Sequence, residues 1–97
     1  MAQVILIETN KTMNDLLSVN LTTYLGVDLI HRKNAQDVLN LLAILPSVDL
    51  IITCPKVDGE DTANTINDYL IENNLEIALM VLGGTPKKST DHTITID

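Results

Sequence analysis

Apolar runs at residues 4–7 and 77–82, and shorter, mostly apolar strand stretches at 27–30 and 50–53, alternate with stretches in which apolar side chains return every third or fourth position. Short continuous runs are expected of strands covered on both faces, and the longer spacing is that of helices with one buried stripe. Met13, Leu16, Leu17, Leu21 and Tyr24 predict a first helix, with Thr12 and Asp15 as a capping box and Gly26 as a left-handed cap at its end. Asn34 and Asp37 repeat the capping pattern ahead of Val38, Leu41, Leu42 and Leu45, and Pro46 stops this second helix. A third helix is predicted over 62–72, with Ala63, Ile66, Tyr69 and Leu70 inward and Asn73-Asn74 as its stop. Gly83-Gly84-Thr85-Pro86 breaks the fourth apolar run. The segment 87–91 is too short and polar for a helix, whereas 92–96 alternates as a strand buried on one face does. Strands alternating with helices through right-handed crossovers predict a parallel sheet in a doubly wound α/β layer.

Composition narrows what such a layer can do. A chain of 97 residues supports one core and one domain. Thirteen acidic against six basic residues give a net charge of −7, the wrong sign for neutralising phosphate backbones, so direct nucleic-acid binding is not expected. Tyr24 and Tyr69 are the only aromatic residues, which leaves little for base stacking. No stretch approaches the roughly 18 consecutive apolar residues of a membrane span, and the start of the chain lacks the pattern of a signal peptide. A cytoplasmic location and no membrane partner are the expectation. Cys54 is the single cysteine, so no internal disulfide can form.

Taken together, these landmarks resemble the receiver domain of two-component response regulators. The residues that carry the resemblance are 4–9 as an apolar strand with a polar end, 26–28 and 34–39 as second strand and helix entry, and 49–54 with Asp58-Gly59 as the third strand and its turn. Residues 77–83 and 91–97 match the last two strands. The resemblance implies a flavodoxin-like fold, with a parallel five-stranded sheet in the order 2-1-3-4-5. It makes the chain, over 1–97, a single truncated receiver-like domain, the front part of a longer protein.

The resemblance also implies where phosphoryl chemistry would sit. Transfer to an aspartate needs a carboxylate nucleophile, acidic oxygens for a divalent cation, and a hydroxyl and an ammonium for the new phosphate. Cys54 holds the acceptor position and cannot form an acyl phosphate. The acidic pair is Glu8 with Thr9, the hydroxyl position is Gly83 and the lysine position is Ile96. The loop from Cys54 to Gly59 is also shorter than the family's. A degenerate pseudo-receiver is expected, without catalytic residues, metal or cofactor, and not an enzyme.

The family's fourth and fifth helices have no counterpart in this pattern, which leaves three. The sheet end formed by the last two strands is then expected to lie bare on each face, with Leu82, Ile94 and Ile96 as an interaction surface. Each uncovered leucine or isoleucine leaves roughly 1.5 to 3 kcal/mol of burial unrealised. A second copy in a homodimer, another protein partner or an attached output domain would cover it.

Other motifs carry less. Cys54 at a strand end could serve a small thiol-dependent enzyme or a flavodoxin-like ligand binder, but no second cysteine accompanies it, and the sequence places neither His31 nor His92 beside it as a base. The glycine pair followed by Lys87-Lys88 fits neither the P-loop nor the dinucleotide fingerprint. Glu8, Asp58, Glu60 and Asp61 could gather a cation only weakly, and His31-Arg32-Lys33 is a solvated loop end.

Overall fold

A computed structural model describes residues 2–7, 11–45, 47–57, 59–82 and 93–96, without the side chains of Lys11 and 94–96. Its elements are β1 (Gln3–Ile7), α1 (Lys11–Leu25), β2 (Asp28–Arg32), α2 (Ala35–Ile44), β3 (Leu50–Thr53), α3 (Thr62–Glu72), β4 (Ala78–Leu82) and β5 (Thr93–Ile96). All neighbouring strands run parallel, in the order β2-β1-β3-β4, with β5 added outside β4. The expected α/β flavodoxin-like layer with a parallel sheet and three helices among the described residues is therefore present. The segment 83–92, where a fourth helix was not expected, lies outside the described residues.

Register sorts the strand residues into two faces. Ile5 lies level with Ile30 and Ile51, and Ile51 level with Leu79. These residues belong to a single large core with Val38 and Leu42 of α2 and Ala63, Ile66 and Leu70 of α3. On the opposite face Val4, Leu6 and Ile52 are buried, and only Leu17 and Leu21 of α1 pack over them from a helix. Among the described residues two helices thus cover one face and one helix covers the other.

Local chemistry sets the element ends. Asn34 caps α2 through its side chain, which accepts a hydrogen bond from the backbone N–H of Asp37 at 2.9 Å. Gly26 closes α1 with φ +63°, and α3 ends at Asn73, followed by Asn74 with φ +53°. The capping box expected at Thr12 and Asp15 does not form the start of α1. The helix already begins at Lys11, so Thr12 lies exposed inside its first turn. Strand β2 extends two residues beyond the expected end and takes in His31 and Arg32, because Leu6 and Ile7 of β1 continue to pair with them.

Candidate functional site

The carboxyl ends of the strands meet in one row, where Ile7 is level with Thr53 and Thr53 with Val81. This edge is where open α/β sheets bind ligands. Cys54 follows Thr53 there, half-buried and packed against the large core. Its carbonyl accepts a hydrogen bond from the Thr53 hydroxyl at 2.9 Å. The chain then closes quickly into α3. Val57, 3 % exposed, exchanges two 3.0 Å backbone hydrogen bonds with Glu60, and Gly59 between them has φ +82°. The backbone N–H of Ala63 donates to the Pro55 carbonyl at 3.2 Å, tying the helix start to the strand exit.

Of the sequence-predicted site residues, Glu8, Thr9, Asp58 and Gly83 lie outside the described residues, as do Lys87, Lys88 and His92. Ile96 is placed by its backbone alone, level with Leu82. His31 is not beside Cys54. It sits on β2, two strands from β3, with its Nε2 3.3 Å from the Ser18 hydroxyl on α1. That hydroxyl gives its proton to the Asn14 carbonyl at 2.6 Å, so it accepts from the imidazole N–H. Glu60 is exposed, and both carboxylate oxygens of Asp61 are engaged by the Asn64 amide at 2.9 Å. Among the described residues no three His, Cys, Asp or Glu side chains gather as metal ligands, and no helix is long and apolar enough to cross a membrane.

The expectation that the sheet end lies bare on each face needs correction. On the α3 side Leu79 and Val81 of β4 are 1 % and 0 % exposed, inside the large core. Helix α3 reaches as far as β5, where the Thr93 hydroxyl donates to Oδ1 of buried Asn67 at 3.5 Å. Three helical turns suffice to cover β3 and β4 together. What remains open there is a groove of about 260 Å³ near the start of β4, bounded by Leu70, Leu75, Ile77 and Thr93.

On the α1 side the expectation describes the molecule better. Leu50, Met80 and Leu82 are only half-buried around the smaller cluster. Helix α1 packs against β2 and over the cluster of Val4, Leu6 and Ile52, and among the described residues Leu17 and Leu21 are the α1 side chains that pack against that cluster. Ile94 is level with Met80 and Ile96 with Leu82, so β5 extends the same surface.

The first helix is also less buried than its sequence stripe predicted. Leu17 and Leu21 pack on the sheet, but Met13, Leu16 and Tyr24 are 41 %, 56 % and 77 % exposed. A helix turns about 100° per residue, so the five stripe residues spread over roughly 140°. One flat sheet cannot cover that arc. Ser18, facing His31, marks the flank of α1 toward β2. Leu16 falls on the opposite flank, whereas Tyr24 lies at nearly the same helical angle as Leu17 but in the last turn of α1. The width of the stripe was the signal in the sequence that could have identified Leu16; Tyr24 lies near its middle, so the width does not mark it.

The same architecture occurs in solved structures. A response regulator receiver domain protein from Bacillus halodurans superposes with a TM-score of 0.80 at 16 % identity, over 98 % of this chain and 82 % of that one. The signal receiver domain of a candidate Luxo repressor protein from Vibrio parahaemolyticus gives 0.71, also at 16 % identity, over 97 % and 77 %. No family profile matches the chain and no curated protein matches it in sequence. The fold is that of a receiver domain.

Proposed function

We propose that this chain is a phosphorylation-independent, receiver-like interaction module of a cytoplasmic signalling protein rather than an enzyme. The observation that carries the proposal is Cys54 at the end of β3, half-buried against the core, where a receiver needs a carboxylate nucleophile. A thiol there offers no route to an acyl phosphate. Glu8 with Thr9, Gly83 and Ile96 stand in for the acidic pair, the hydroxyl and the lysine, so the parts that bind the cation and the phosphate are lost as well.

An output that does not depend on phosphate must come from a surface. The edge of the sheet on the α1 side that carries no helix among the described residues, with half-buried Leu82 and the positions of Ile94 and Ile96, supports that role because apolar area of this kind marks partner sites. A protein partner or an attached output domain would be recognised there. Incubation with acetyl phosphate, and titration with beryllium fluoride and Mg²⁺, test the reading. No covalent label and no saturable binding are expected, and stable labelling would overturn it.

A further inference from the structure

Strand β2 is an edge of the sheet, at the far side from β5, and among the described residues it pairs only with β1. The Asp28 N–H donates to the Ala2 carbonyl at 2.8 Å, so Asp28 turns its backbone groups toward β1, and by alternation Ile30 and Arg32 do the same. Leu29 and His31 therefore turn theirs outward, where an edge offers N–H and C=O groups to a further strand. The Arg32 guanidinium donates to the outward His31 carbonyl at 2.7 Å, which places it at this rim. Side chains alternate as well. Ile30 packs on the large core, so Asp28 and Arg32 belong to the α2 and α3 face, whereas Leu29 and His31 belong to the α1 face. About Ile30 the strand is self-complementary, because two copies laid antiparallel set the Asp28 of each opposite the Arg32 of the other.

We propose that β2 pairs antiparallel with β2 of a second copy of this chain, about a two-fold axis at Ile30, joining the two sheets edge to edge. The axis closes the assembly as a dimer. Backbone phase and charge select the same register. Leu29 of one copy and His31 of the other exchange N–H···O=C bonds, while Asp28 and Arg32 meet in the non-hydrogen-bonded position, where Cα atoms approach to about 4.5 Å and opposite charges stabilise the pair. A slip of two residues either way loses both ion pairs. With one acid and one base, β2 lets two copies of a chain of net charge −7 meet without like charges opposed along the strand. The opposite edge, β5, reads Thr-Ile-Thr-Ile and has no charge to set a register. Arg32 also bounds a groove of about 330 Å³ with Asp37, Asn40, Leu41 and Ile44 of α2, and Ile44 is 81 % exposed. Pairing brings the two grooves, each with its exposed isoleucine, to one junction.

Sedimentation equilibrium over a dilution series should show a dimer. Asp28→Arg and Arg32→Asp each set two like-charge pairs across the axis and should weaken it about tenfold or more, whereas the chain carrying both substitutions has opposite charges again and should dimerise as the wild type does. Asp28 is exposed and Arg32 half-buried at the sheet edge, so all three variants should keep the wild-type far-ultraviolet circular dichroism. The amides of Leu29 and His31 should exchange with solvent slowly at dimer concentrations and quickly on dilution. A monomer at every concentration overturns the second copy as occupant, leaves the edge to a strand of a different protein, and does not bear on the acetyl phosphate test above. A dimer indifferent to the single reversals, not rescued by the double substitution, or without slowed exchange at Leu29 and His31 overturns the β2 pairing and points to another surface.

Discussion

Leu79 and Met80 are consecutive on β4, yet Leu79 is 1 % exposed inside the large core while Met80 is half-buried on the opposite face. Alternation puts them on different sides of one strand, and only one side has a full helical cover. Leu79→Ala should cost about 2 to 5 kcal/mol through lost transfer energy and a cavity. Met80→Ala should cost about 1 kcal/mol. Urea denaturation of the two variants checks the contrast, and equal losses would mean that the α1 side is as well covered as the other.

The Asn34 cap offers a second measurement. Its side chain is the acceptor for the Asp37 N–H, so Asn34→Ala should lower stability by about 0.5 to 2 kcal/mol, and Asn34→Ser should recover most of the loss. Thermal unfolding monitored at 222 nm reports both.

Gly59 has φ +82° between the paired Val57 and Glu60, and a Cβ there would meet nothing within 4 Å. The penalty for Gly59→Ala is then one of backbone conformation alone, about 1 to 2 kcal/mol. A D-alanine introduced by chemical synthesis at the same position should restore stability. Failure of D-alanine to restore it would show that the side chain does clash.

On the proposed reading, a carboxylate at the end of β3 should not by itself confer phosphoryl transfer. Cys54→Asp places a carboxylate at the end of β3, but Thr9, Gly83 and Ile96 still supply no second acidic ligand, no hydroxyl and no ammonium. Mass spectrometry after treatment with acetyl phosphate and Mg²⁺ is expected to show no added phosphoryl group. Cys54→Ser, by contrast, should leave the fold and partner binding unchanged, whereas loss of a measurable activity with the fold intact would favour a thiol-dependent enzyme.

The sequence by itself determined the layer. Runs such as 4–7 and 50–52 are apolar throughout because each strand is sandwiched, and the cap at Asn34 and the left-handed glycine at Gly26 act within a few residues of their own position. That a cysteine follows β3 was equally legible, since it depends on residue identity and not on distance. Coverage was not. Whether Leu79 is buried depends on how far α3 reaches across the sheet, and whether Leu16 is buried depends on α1 lying over β2 and not over β4. Those are relations between elements far apart in the chain. Periodicity reveals that a helix has an apolar stripe, but only the packing of helices on the sheet decides which part of that stripe finds a neighbour.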